Sequence, residues 1–483
     1  MTPSSNRPLW PTLVLACLAQ FMVILDVSVV NVALPSIRTG LKFPQQDLSW
    51  VVNAYTILFA GFLLLGGRAA DLLGRRRVFI GGLMLFALAS LIGGVADSQG
   101  VLIAARAAQG FGGAVIAPAS LSILTTTFRE GPDRNRALGA WGAMGGAGGS
   151  AGVLLGGALT DFASWRWILF INVPIALATA AAALRYVDEG RDRGRTRNFD
   201  LAGALTATLG LMVLVWAIVR TEVNGWGSGQ TLGGIAVGLV LMAAFLAIEG
   251  RLAKAPLMPL RIFASRMLSG ANAVVFTLGA AMFAMWFFVS LYLQQVLGYS
   301  PLDAGLAFLP MTLTIVIGST LASRAVARVG VKPLLALGML TEAVGLVLFT
   351  TITANGSYLD DVALPSIVVA VGIGLSFVPA TIAAVAGVES KDAGLASGLV
   401  NTSRLMGGAL GLALLSTLAT ARTDGELSRG AGTAAMHGAV VDGFHLAFYV
   451  GAGFALAGAL ITMLVLRDHR PGTVPQPSAE PAG

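Results

Sequence analysis

Two opposite charges lie inside apolar runs of this chain. Asp26 sits in "QFMVILDVSVVNVALPSI" (20–37), and Arg106 opens "RAAQGFGGAVIAP" (106–118). An aspartate at the centre of a helix in lipid costs ~2.5–3.5 kcal/mol on insertion scales, so such residues are functional by default. Counted from Leu34, Asp26 lies ~12 Å below the outer end of its helix, and Arg106 lies ~9 Å deep in the fourth apolar run. At similar depth on neighbouring helices the two can meet or share a water-filled cavity. Burial favours the neutral carboxyl and a nearby cation favours the carboxylate. A carboxylate so placed can therefore take up and release a proton; the alternative role is a static ion pair holding helices together.

Other residues offer binding chemistry. Asn31 follows Asp26 on the first run, and Gln109 follows Arg106 by one helical turn. "FTLGAAMFAMWFFVSLYLQQ" (276–295) puts Met282, Met285, Trp286 and Val289 on one helical face. Methionine and aromatic surfaces suit promiscuous apolar ligands, although lipid contact or core packing explains the same pattern. Glu342 is a second carboxylate in an apolar run, with substrate-cavity and helix-packing roles both open. The single cysteine, Cys17, excludes a disulfide within the chain, and the three histidines (His437, His445, His469) have no metal-ligand spacing. No cofactor or metal is expected. No G-x-x-x-x-G-K-[ST] occurs, so ATP hydrolysis is not the energy source.

The elements that hold these residues are membrane helices. The 483 residues are 56% hydrophobic and 11% charged, whereas soluble domains carry ~25% charged residues. Apolar blocks of about 20 residues, the bilayer-spanning length of a helix, recur fourteen times. The predicted chain is an all-α polytopic membrane protein with 14 spans. Placing both termini in the cytoplasm puts 23 of the 31 Lys and Arg in cytoplasmic segments, 6 outside and 2 (Arg106 and Arg404) within spans, as the positive-inside rule requires. The net charge of +7 is thereby a topology signal and not a nucleic-acid surface.

Echoes at a common offset near 256 divide the spans. "GRRR" (74–77) corresponds to "GVKP" (330–333), and Arg134 and Arg136 to Lys391 ahead of a second Gly-rich helix, while "GFGGAVIAP" (110–118) is echoed loosely by "GIGLSFVP" (372–379). Residues 1–185 form one six-helix bundle and 263–468 the other. Residues 186–262 are a linker carrying two additional spans (200–219 and 231–249), and 469–483 are a Pro-rich disordered tail. Duplicated six-helix halves are a transporter architecture, with the substrate site between them near the midplane. The loop "GGRAADLLGRRRVF" (66–79) sets Asp71 and Gly74 among arginines, which topology alone does not explain. The fifth span, "GAWGAMGGAGGSAGVLLGGAL", spaces small residues every four positions (Gly148, Gly152, Gly156), a surface for close helix approach.

Over essentially its whole length the chain resembles the fourteen-helix drug:proton antiporter branch of the major facilitator superfamily. "LDVSVVNVALPSI" (25–37), "GRAADLLGRRR" (67–77), "RAAQGFGGAVIAP" (106–118) and "WRWILFINVPI" (165–175) carry the likeness. The resemblance implies a major facilitator fold in a bacterial cytoplasmic membrane. It implies a monomer that exchanges protons for hydrophobic or amphipathic compounds such as antibiotics or toxic cations. It assigns proton coupling to Asp26 with Arg106, and a conformational latch to Gly67, Asp71, Gly74, Arg75 and Arg76. The antiporter-motif region falls on Gly148, Gly152, Val153, Gly156 and Gly157. Two positions depart from the pattern: Val153 stands where the motif has proline, and Leu72 stands where a basic residue usually follows the aspartate. A facilitator, or an exporter of lipid or an endogenous metabolite, on the same scaffold is the alternative. An enzyme lacks its catalytic clusters, and a receptor lacks a loop or tail long enough for a separate domain.

Overall fold

In the computed structural model the described residues are 9–128, 132–189, 200–253, 256, 258–386, 393–427 and 433–467. The sites read at Lys391 and the tail 469–483 lie outside them, as do the Arg134 and Asp71 side chains.

Among the described residues, thirteen helices are long and apolar enough to cross a membrane. The first four are α1 (Leu9–Leu41), α2 (Trp50–Leu73), α3 (Arg75–Gly94) and α4 (Gln99–Thr127). Next come α5 (Pro132–Phe162) and α6 (Trp167–Tyr186). Two helices, α7 (Leu201–Val219) and α8 (Gly229–Ala247), then precede α9 (Arg266–Leu291), α10 (Pro301–Val329) and α11 (Val331–Leu348). The chain ends with α12 (Leu364–Val385), α13 (Ala393–Leu427) and α14 (Thr433–Val465). The helix outside the thirteen is α5. Its glycines lower its mean hydropathy, although its length is ample to span.

Serine and aspartate hydroxyl or carboxylate groups satisfy the free N–H groups at several helix starts. Ser98 accepts from Val101, Asp200 from Gly203 and Ser265 from Leu268. Helix α6 is interrupted at Ile171. Pro174 has no N–H to offer the Phe170 carbonyl, and the helix restarts at the buried Asn172.

Small residues determine which helices touch. At Gly110 a side chain would collide with the backbone carbonyl of Tyr55, so α2 and α4 meet backbone to backbone. Along α5, Cβ atoms at Gly148, Gly152 and Gly156 would lie 2.9, 2.8 and 2.9 Å from the carbonyls of Phe21, Leu25 and Val29 on α1. The stripe spacing thus maps onto one face of α1, the helix that carries Asp26.

The additional pair has a definite seat. Thr208 of α7 fills the space above Gly61 of α2. Leu211, Val215 and Val219 of α7 form one buried cluster with Ile57 of α2 and Ala409 and Ala413 of α13. Helix α7 therefore covers the seam between α2 and α13, and α8 packs outside it through Gly210 and Gly238.

Candidate functional site

Asp26 and Arg106 meet. Arg106 Nη1 donates to Asp26 Oδ2 at 2.5 Å, and both residues are sealed from solvent, at 0% and 1% exposure. Three further donors and acceptors fix the pair. Gln109 Nε2 donates to Asp26 Oδ1 at 3.0 Å and to Ser90 Oγ at 2.8 Å, while its Oε1 accepts from Arg106 at 2.9 Å. Asn172 Nδ2 donates to Asp26 Oδ1 at 2.8 Å. Arg106 Nε donates to the Val51 carbonyl at 3.1 Å, and the guanidinium lies 4.5 Å above the Tyr55 ring. The close approach of α2 and α4 at Gly110 brings Tyr55 and Val51 to that position.

Every side chain hydrogen-bonded to the two Asp26 oxygens is a donor: Arg106, Gln109 and Asn172. A protonated Asp26 must displace one donor or turn away from it. A buried pair of this kind is also a poor source of net stability, because desolvating two charges consumes most of the attraction.

Five elements supply this site: α1 (Asp26), α2 (Val51, Tyr55), α3 (Ser90), α4 (Arg106, Gln109) and α6 (Asn172). Sequence reasoning did not single out Asn172, Ser90 or Tyr55. Asn172 lies in the quoted segment 165–175, and a primary amide two residues before Pro174 inside an apolar run was the signal available.

The other predicted residues are dispersed. Asn31 bonds its own helix at the Val27 carbonyl, and its carbonyl accepts from Ser290 Oγ of α9 at 2.7 Å. Gln294 donates to Val32 at 2.8 Å. These contacts, with Gly157 of α5 against Pro301 at the start of α10, join α1 and α5 to α9 and α10. Met285 and Val289 are core residues of α9, Met282 packs at the edge of that core, and Trp286 stacks on Phe308 at 4.8 Å. Glu342 is wholly buried against Gly372 of α12, and both its carboxyl oxygens lack a hydrogen-bond partner.

Gly74 joins α2 to α3 with φ +108°, a conformation that favours glycine. A side chain there would strike the Glu189 carboxylate. Glu189, at the end of α6, accepts from Arg76 Nε at 3.2 Å and lies 3.6 Å from Arg77. Arg75 donates to Ser122 of α4 at 2.7 Å. Gly67 lies against Pro118 of α4. The loop thus ties α3 to α4 and α6. Val153 is buried, and its carbonyl abuts Gly305 of α10, with α5 running through the Gly152–Val153 pair as helix.

The profile of the Major Facilitator Superfamily matches residues 16–412 and 271–483. The cephamycin export protein CmcT of Amycolatopsis lactamdurans is 42% identical over 468 residues, covering 96% of this chain and 94% of that one. The puromycin resistance protein pur8 of Streptomyces alboniger is 39% identical over 465 residues, 95% of this chain and 92% of its own. In fold, the chain is similar to the crystal structure of the POT family transporter PepTSo, with TM-score 0.67 at 15% identity over 95% of this chain and 98% of that one. The chain belongs to the Major Facilitator Superfamily. It is a multi-pass integral membrane transporter and not an enzyme.

Proposed function

We propose that this protein exports hydrophobic or amphipathic drug-like compounds across the cytoplasmic membrane in exchange for protons, by alternating access of two six-helix halves. The observation that carries this reading is the Asp26 carboxylate, buried among apolar helices and held by Arg106, Gln109 and Asn172. The relatives named for antibiotic export and resistance support the direction and substrate class.

In this scheme the state with the outer ends closed is the one open to the cytoplasm. Asp26 is then the ionised partner of Arg106, the state that follows proton release inward and precedes substrate loading. Rocking of one half on the other along the α2–α13 seam opens the outer side. A proton arriving there neutralises Asp26 and breaks its bond to Arg106. Each tenfold difference in proton affinity between the two states supplies ~1.4 kcal/mol to the cycle. Asp71, Gly74, Arg75 and Arg76 bias which state is favoured. The transporter acts as a monomer, with protons, lipid and a small molecule as its partners.

The unbroken α5 at Gly152–Val153 favours a second reading, a facilitator without strict antiport. Efflux of a panel of toxic compounds from expressing cells, with and without a proton-collapsing ionophore, separates the two. Antiport predicts that the ionophore abolishes efflux against a gradient; unchanged uphill efflux contradicts it.

A further inference from the structure

A second intramembrane cation, Arg404, is not used by the Asp26 network. It lies on α13, about 16 Å along the helix from its cytoplasmic end at 1.5 Å per residue. Its Nη2 donates to Asn401 Oδ1 at 3.3 Å, its guanidinium sits 5.5 Å over the Phe377 ring of α12, and its Nε is buried with no partner. Among the described residues no carboxylate reaches it. Arg106 has its aspartate; Arg404 has none. The buried carboxylate of the neighbouring helix α11, Glu342, packs on Gly372, about 140° around α12 from Phe377 at 100° per residue.

Arg404 also lies beside the contact between the halves. The next residue, Leu405, packs into the N-terminal cluster with Tyr55 and Phe59, and Met406 packs beside Ile57. Phe283 of α9, lying on Gly408 one turn outward, touches the buried clusters of both halves. Arg404 is thus one turn to the cytoplasmic side of the point where Phe283 bridges the halves. Phe377 lies on the α12 face that carries Ala370 and Ile373. Those are 0% and 2% exposed, whereas Phe377, under the Arg404 guanidinium, is 38% exposed.

We propose that Arg404, steadied by Asn401 and backed by Phe377, is a subsite for the anionic group of an amphipathic substrate. A guanidinium offers a planar fork to a carboxylate or sulfonate, and an exposed aromatic ring receives the apolar body beside it. An unpaired arginine is costly within a membrane bundle, and an anionic ligand relieves that cost as it binds. The proposal deepens the export reading by naming a substrate class, acidic or zwitterionic amphipaths. It rests on that reading for the location of the substrate space, but binding needs no proton gradient, so loss of antiport would leave its test intact.

The test is fluorescence titration of the purified protein in phosphatidylcholine nanodiscs, corrected with empty discs. The probes are anilinonaphthalene sulfonate and the uncharged N-phenylnaphthylamine, which share an aromatic body. Wild type should bind the sulfonate at least as tightly as the amine. Arg404→Met should weaken the sulfonate about tenfold, the scale of one charge-assisted hydrogen bond, and leave the amine within about twofold. Arg404→Lys keeps the charge without the fork and should show a smaller loss, again confined to the sulfonate; it decides the matter if the methionine variant is not monodisperse. Preference of wild type for the amine, unchanged sulfonate binding in both variants, or equal weakening of both probes overturns the proposal.

Discussion

Arg106 on α4 donates to Asp26 on α1 at 2.5 Å across a sequence separation of 80 residues, with neither side chain reaching solvent. The pair is meaningful only as a unit. Removing the cation leaves a carboxylate buried with two amides, a change that costs about 3–5 kcal/mol in comparable sites. Arg106→Gln should therefore lower the thermal unfolding midpoint in detergent markedly and abolish gradient-driven export. Arg106→Lys should keep most of the stability but lose the second bond to Val51. An unchanged midpoint in the glutamine variant would show that the pair is solvated and dispensable.

Asn172 supplies the donor that sequence reading overlooked. Asn172→Leu fits a membrane helix but removes a hydrogen bond to a charged group, an interaction worth about 1.5–3 kcal/mol. Proton-driven export should fall about tenfold or more, with expression and substrate binding near normal. Export at the wild-type rate would reduce Asn172 to a packing residue.

The cytoplasmic clamp can be tested from either partner. Gly74→Ala forces a side chain into a φ of +108° and against Glu189, and should destabilise by about 1–2 kcal/mol. Glu189→Gln loses pairs that are partly exposed, worth less than about 1 kcal/mol. Its effect should therefore appear in transport rate and not in the unfolding midpoint. The reverse result, a large stability loss with normal rate, would make the loop a structural joint.

How far these features could be read in advance depended on contrast. Asp26 and Arg106 stand out because a charge in an apolar run has a cost to justify. Asn172 and Ser90 do not, since neutral polar residues are common in transporter helices and their partners are fixed only by tertiary packing. Glu189 was hidden for the opposite reason, in the charge-dense stretch "DEGRDRGRTR" (188–197). The extra spans were evident as apolar blocks, but nothing in their composition indicated that α7 would lie on the α2–α13 seam. The methionine and tryptophan face on α9 was legible as a pattern, yet Met285 and Val289 went to the core because α9 is packed nearly all round.

The glycine stripe offers a mechanical test. A Cβ at Gly152 would lie 2.7 Å from Ser28 Cβ and 2.8 Å from the Leu25 carbonyl. Gly152→Val must push α5 off α1, at a cost of about 1–3 kcal/mol for overpacking, and disturb the helix that holds Asp26. Export should drop sharply, whereas Gly142→Val, at a position open on all sides, should be silent. Equal activity of the two variants would remove the stripe from the transport mechanism.

The coupling role proposed for Asp26 is the centre of the account. Asp26→Asn keeps the size of the side chain and its contact with Arg106 through the amide oxygen, but it cannot titrate. The direct measurement is transport of an exported compound by purified protein in proteoliposomes, driven by an imposed pH gradient and compared with downhill exchange without one. Asp26→Asn should retain downhill exchange and show no gradient-driven accumulation, and Asp26→Glu should accumulate with a shifted pH optimum. Full gradient-driven accumulation by Asp26→Asn would contradict the account and leave Asp26 and Arg106 as a structural tie between α1 and α4.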